Sequence, residues 1–335
     1  MEAHPPPVQM IQLLSGFQVS QALYVAARIG VADLLVDGPL PADRLASELE
    51  CDPTAVSRLL RTLASLGVFT ETGTGDFGLT PLGATLVSGG EGSMRDLALM
   101  WMETHYLPFA GLLDTVRTGT CAATEYYQQP FFSWLSTQPD QVDRFSRAMA
   151  NLTDGIKAGA IASYTFPQSG TIVDVGGADG ALLSLALQSA PDTNGIVFDL
   201  PHVIEQAEST LKGHRLDDRM TAQAGDFFEA VPEGADAYLL SMVLHDWDDA
   251  DAHRLLTSIR KAAVPGSRVL AFELVMPTGD QPHMSKMIDL TMLGMLTGRE
   301  RTDAEMQRLF EGAGFTYEGV VPSPTPISII EASVP

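Results

Sequence analysis

From Gly170 to Glu331 the chain alternates short apolar runs with helical stretches, and this alternation restricts its fold more than any other feature. Strands read at 171–175, 195–199, 220–224, 237–242 and 268–274, with weaker ones at 316–321 and 328–331. Helices read between them at 181–189, 203–211 and 250–263, the last ended by Pro265-Gly266. Such a succession builds a doubly wound α/β sheet of parallel strands, which binds ligands outside the carboxyl ends of its strands.

Those strand ends carry the polar residues of interest. Thr171-Ile172-Val173-Asp174-Val175 runs into Gly176-Gly177-Ala178-Asp179-Gly180 and then a helix, so a ligand can approach the backbone closely. A tight turn without a ligand would use the same residues. Asp199 ends the second strand, where a carboxylate can accept from both hydroxyls of a ribose. Gly225-Asp226-Phe227-Phe228 follows the third, offering a carboxylate for an adenine amino group and a ring to cover its face. Either aspartate alone could be a helix cap or a turn former. Three such features at successive strand ends read together as a nucleoside site.

The fourth apolar run, Tyr238 to Leu244, stops at His245 beside Asp246-Trp247-Asp248-Asp249. A histidine, with an ordinary pKa of about 6.5, can collect a proton near neutral pH. The plainer role is a helix-entry histidine beside a capping Asp246 or Asp248.

The first hundred residues read as short helices, with apolar positions at helical spacing over 8–29 and 54–66 and a cap at Asp52-Pro53. A glycine-turned hairpin over 70–80 completes a winged-helix pattern. Ser57, Arg58, Arg61 and Thr62 on its second helix could meet a DNA groove, or the module could pack against a second subunit. The formal charge of −22, from 20 basic and 42 acidic residues, argues against nucleic acid and leaves a neutral or cationic small ligand unopposed. The helical stretch 94–164 is rich in methionine and aromatic residues that serve a core or line a pocket for a flat aromatic ligand.

A length of 335 residues suits two or three domains, and 45% hydrophobic with 19% charged residues is ordinary for a globular chain. Cys51 and Cys121 form neither a disulfide framework nor a zinc pattern, so no metal is expected. No apolar stretch is long enough to span a bilayer and the N-terminus lacks a secretion signal, which makes a reducing cytoplasm the expected compartment.

In chain order, Val173-Asp174-Val175-Gly176-Gly177, Gly225-Asp226-Phe227-Phe228, Leu244-His245-Asp246-Trp247-Asp248-Asp249 and Gly298-Arg299-Glu300-Arg301 resemble the motifs of a known family. This is the S-adenosylmethionine-dependent O-methyltransferases of the plant caffeate and bacterial antibiotic-tailoring type, and the resemblance extends over nearly the whole chain. It implies a winged-helix dimerisation domain at 1–95, a helical linker at 96–165 contributing to the acceptor pocket, and a Rossmann-like, doubly wound methyltransferase domain at 166–335. It implies a homodimer, S-adenosylmethionine as cofactor and an aromatic acceptor. Gly176, Gly177 and Gly180 would receive the methionine part of the cofactor, Asp199 its ribose, and Asp226 with Phe227 its adenine. Ser241 stands where plant members carry a lysine near the cofactor, and Ala178 where the family commonly has a third glycine.

The resemblance makes His245 the base and implies two supporting carboxylates, Glu273 and Glu300, although Glu300 could instead pair with Arg299 or Arg301 on the surface. A phenol, with a pKa near 10, is a poor nucleophile until its proton is removed, and a positioned base contributes roughly 10²- to 10⁴-fold. A helix between the two carboxylates must pass the acceptor pocket, which makes Met287, Asp289, Met292 and Met295 candidates for substrate contact, with His105, Tyr106 and Met149 from the aromatic stretch. The alternatives are N- or C-methylation, hydroxylation or decarboxylation on the same fold, and a winged-helix regulator that binds an effector without turning it over.

Overall fold

Ser15 divides the first apolar stretch into two helices, Pro6–Leu14 and Gly16–Ile29, because its hydroxyl donates back to the carbonyl of Gln12 at 2.9 Å and competes with the helical ladder. The computed structural model describes residues 5–73, 75–90, 92–152, 156–205 and 218–335. They form two compact units, Met1–Leu107 with Pro139–Asn151, and Pro108–Gln138 with Leu152–Pro335.

In the first unit, Asp52 caps the helix Pro53–Ser65 by accepting from the Ala55 N–H at 2.8 Å, with Pro53 in the first turn. That helix buries Val56, Leu60 and Leu63 along one face. Strand β1 (Leu40–Pro41) pairs with β3 (Asp76–Leu79), which pairs with β2 (Phe69–Glu71), all antiparallel, giving the expected wing. Arg61 of the helix is tied to Glu71 of the wing at 2.9 Å.

The second unit holds a seven-stranded sheet. Its strands are β4 (Ser169–Val175), β5 (Asp192–Asp199), β6 (Met220–Ala224), β7 (Ala237–Ser241), β8 (Arg268–Glu273), β9 (Thr316–Val321) and β10 (Ser328–Ser333). They lie in the order β6-β5-β4-β7-β8-β10-β9. Strands β4 to β8 run parallel, while β10 runs antiparallel to both β8 and β9. The expected all-parallel sheet therefore ends in a hairpin, since the short stretch between β9 and β10 carries no crossover helix.

Alternation along the strands feeds two apolar layers. On β7, Tyr238 and Leu240 join Leu255, Ile259 and Phe310 on one face, while Ala237 and Leu239 join Leu183, Leu187 and Ile161 on the other. Each leucine, isoleucine or phenylalanine side chain among these, fully buried, stabilises the fold by roughly 1.5–3 kcal/mol. The expected helix at 203–211 lies outside the described residues from 206 onward. The stretch 94–164 divides into short helices interrupted near Pro108, Gly119 and Pro130, and is shared between the two units. Among the described residues no helix is long and apolar enough to cross a membrane.

Register brings the strand ends to one edge, with Val175 opposite Phe198, Asp199 opposite Ala224 and Ser241 opposite Phe272. The chain leaves β4 first toward β5 and later returns to lay β7 on its other side, so a crevice opens at the end of β4. Gly225, just past β6, has no room for a side chain, since an added Cβ would lie 2.5 Å from the ring of Phe198. Gly225→Ala is expected to lower stability by about 1–3 kcal/mol in denaturant unfolding, through overpacking. An unchanged midpoint would show that the β5–β6 edge yields more easily than its packing indicates.

Candidate active site

The turn after β4 is built on left-handed backbone, with φ of 73° at Gly176, 49° at Ala178 and 76° at Gly180. Gly176 donates to the carbonyl of Phe198 at 2.8 Å, and Gly180 opens the helix Ala181–Gln188. A Cβ at Gly177 would press on the Asp174 carboxyl at 2.8 Å, and one at Gly176 would lie 3.0 Å from Val243 and 3.9 Å from Phe227. The glycine turn, the loop after β7 and the aromatic ring after β6 thus converge.

Asp199 spans that turn, accepting from the Ala178 N–H at 3.0 Å with one oxygen and from the Leu200 N–H at 2.7 Å with the other. Each oxygen keeps a further acceptor site. Asp226 accepts from the Phe228 N–H at 2.8 Å, and Phe227 stands edge-on to Phe228 and Trp247 with ring centroids 4.7 and 6.0 Å away. The hydroxyl of Ser241 is buried without a partner among the described residues. Buried polar atoms of this kind are costly unless a ligand or water satisfies them. Together with the acidic character of the edge, this set fits a cationic nucleoside such as S-adenosylmethionine.

His245 sits in a short turn, Leu244–Asp246, and is 6% exposed. Its Nδ1 meets Glu300 Oε1 at 2.7 Å and its Nε2 faces Asp246 Oδ1 at 3.3 Å. Of the two capping candidates it is Asp248 that caps the following helix, accepting from the Asp251 N–H at 2.9 Å. Glu300 is buried against the ring, while Arg299 pairs with Glu305 and Arg301 with Asp249, so its surface pairing is not found. Glu273, at the end of β8, accepts from the N–H groups of Val243 and Leu244 at 3.2 and 2.9 Å, so it grips the backbone below the ring. His245, Glu273 and Glu300 offer ligand atoms within 4.8 Å of one another, a set that could also gather round a cation.

Among the substrate candidates, Asp289 accepts from the Glu300 N–H at 2.8 Å and so is tied to this cluster. Met292 and Met295 are buried on the same helix, Met284–Met295, whereas Met287 is exposed. His105, Tyr106 and Met149 belong to the first unit. Sequence reasoning passed over Asp246 as a partner of the ring, over Lys157, and over Trp247, whose indole N–H is buried without a partner. Lys157 is buried in the field of Asp174, Glu273, Asp179 and Asp246, and its burial lowers its pKa. The acidic run itself was the signal for Asp246; nothing local distinguishes Lys157.

Burial pushes the carboxyls of Asp174, Asp246 and Glu273 up to about 7 and that of Glu300 to about 8, with the charge of Asp289 adding to the effect on Glu300 and Arg301 opposing it. These folded values exceed the unfolded ones, so the ligand-free fold binds more protons than the unfolded chain and loses stability as pH rises through them. Thermal stability is expected to fall between about pH 5 and 8, and to fall less in Glu300→Gln. A melting profile that rises over this window, or equal slopes in both proteins, would contradict the assignment.

Ala178 holds a conformation that costs an L-residue about 1–2 kcal/mol, and its contact with Asp199 uses only the backbone N–H. Allowing for the greater freedom of glycine in the unfolded chain, Ala178→Gly is expected to add about 0.5–1 kcal/mol of stability. A lower melting temperature would show the methyl group to be a favourable contact instead.

A family model described as an O-methyltransferase domain matches residues 109–316, and one described as an O-methyltransferase dimerisation domain matches 11–89. The chain is 40% identical to the phenazine O-methyltransferase of Lysobacter antibioticus over 96% of its length and 95% of that protein. It is 34% identical to 8-amino-8-demethylriboflavin N,N-dimethyltransferase of Streptomyces davaonensis, covering 94% of this chain and 91% of that one. A solved O-methyltransferase from neocarzinostatin biosynthesis, in complex with S-adenosylmethionine and 2-hydroxy-5-methyl naphthoic acid, superposes with a TM-score of 0.81 at 33% identity, covering 95% of this chain and 96% of that one.

Proposed function

The chain belongs to the O-methyltransferase family, which uses S-adenosylmethionine, and on that premise we propose that it methylates a hydroxyl of an aromatic secondary metabolite with His245 as general base. The observation that carries this reading is the 2.7 Å bond from His245 Nδ1 to a buried carboxylate. When bound, S-adenosylmethionine supplies a methyl group on a sulfonium centre open to in-line displacement. Gly176, Gly177 and Gly180 receive its methionine part. Asp199 takes the ribose hydroxyls, Asp226 the adenine amino group, Phe227 the face of the base, and Ser241 contributes its unpartnered hydroxyl.

Ionised Glu300 accepts from Nδ1–H and leaves the lone pair on Nε2, the nitrogen beside Asp246. Nε2 would take the proton of the acceptor hydroxyl and so free its oxygen to receive the methyl group that the cofactor would supply. Glu300 and Asp246 then stabilise the imidazolium from both sides. A cationic ligand over these carboxylates favours their ionised forms, which is the state the base needs. Asp289 holds Glu300 through its backbone, and the buried Met292 and Met295 on the same helix supply apolar surface for a flat acceptor. Met10, Ile11, Leu13, Leu14 and Phe17 are exposed on the first two helices, and we assign them to a homodimer interface.

The test is transfer of a labelled methyl group to a panel of phenols and arylamines. A methylated hydroxyl is expected, with His245→Ala binding the cofactor normally but turning over at least about 100-fold more slowly. Methylation confined to nitrogen, or alteration of an acceptor without methyl transfer, would replace this reading. Near-normal turnover in His245→Ala would remove the base.

A further inference from the structure

Arg301 has no exposed surface, although a buried guanidinium is costly, and every part of its fork is engaged. Nη1 donates to the carbonyl of Leu244 at 2.7 Å and Nη2 to that of Trp247 at 2.8 Å. Nε and Nη2 both donate to Asp249 Oδ1, at 3.0 and 2.9 Å. The two carbonyls bracket His245 and Asp246. The turn between them is weakly closed on its own, with Asp246 N–H to Val243 at 3.2 Å and Trp247 N–H to Leu244 at 3.4 Å. It also leaves β7 through Met242, a non-glycine residue at φ 56°.

A second contact comes from Gly298. A side chain there would overlap the carbonyl of His245, the carbonyl carbon of Asp246 and the nitrogen of Trp247. The segment that delivers Glu300 to the ring therefore also presses on the turn through Gly298 and holds two of its carbonyls through Arg301.

We propose that Arg301 and Gly298 are positioning residues for His245, clamping the backbone on either side of it so that the ring stays on Glu300. The inference rests on His245 as the base, and it adds what fixes that base in place. Lysine cannot replace the fork, since one ammonium on a flexible stem does not span two carbonyls and a carboxylate in fixed geometry.

The test compares single-turnover transfer of labelled methyl to a phenolic acceptor in wild type, Arg301→Gln, His245→Ala and the double variant, with cofactor affinity measured by calorimetry. Arg301→Gln is expected to slow transfer by up to about 100-fold, the effect of a misplacement near 1 Å, and to slow it no further in the His245→Ala background. Cofactor affinity should stay within about twofold, because the cofactor-binding residues are untouched by the fork. An equal slowing in both backgrounds would overturn the proposal, since Arg301 would then act independently of His245. Near-normal transfer in His245→Ala alone would instead defeat the base reading, a separate outcome. Arg301→Lys should recover only part of the loss, and full recovery would overturn the forked clamp. Gly298→Ala presses the same turn from its other contact and serves if Arg301→Gln does not fold; slowed transfer in it, absent in the His245→Ala background, supports the clamp, and full activity refutes it.

Discussion

The hydrogen bond between His245 Nδ1 and Glu300 is the interaction on which the neighbouring contacts converge. It joins residues 55 apart in sequence, so no local propensity can form it. Strand β7 brings one partner to the sheet edge, and the segment after the helix Met284–Met295 brings the other. Glu273 fixes the N–H groups before the ring, Arg301 the carbonyls around it, and Asp289 the backbone of Glu300. Met242, whose left-handed backbone costs on the order of 1–3 kcal/mol, is held in place by these same contacts.

The second constraint is charge. Glu273 and Glu300, both buried, and the half-buried Asp246 surround one histidine in a chain of net charge −22. Desolvation favours their protonated forms, and Lys157 and Arg301 offset only part of it. Carboxyls crowded in this way favour a cationic partner.

Much of this was legible in the sequence, and for identifiable reasons. Strands β6 and β9 fall on the expected residues, and the other strands differ by a few residues at their ends. Asp199, Asp226, His245 and Glu273 are positioned by strand termini, which periodicity locates well. The antiparallel β10 depends on a missing crossover helix, a feature of connection length more than of composition. The burial of Glu300 and Arg301 was not legible, because Gly298-Arg299-Glu300-Arg301 reads locally as a charged surface loop and only contacts with residues 244–249 make it interior. The left-handed backbone at Ala178 and Met242 is likewise imposed by tertiary contacts against the preference of both side chains.

Whether His245 removes the proton, or only holds the acceptor in place, is separated most directly by varying the acidity of the acceptor. Single-turnover methyl transfer would be compared in wild type and His245→Ala across phenols whose hydroxyl pKa runs from about 10 to below the assay pH. A base is needed only while the hydroxyl keeps its proton, so the defect of His245→Ala should shrink steadily and nearly vanish for phenols that ionise unaided. A defect of constant size across the series would contradict the account and leave His245 a positioning group alone.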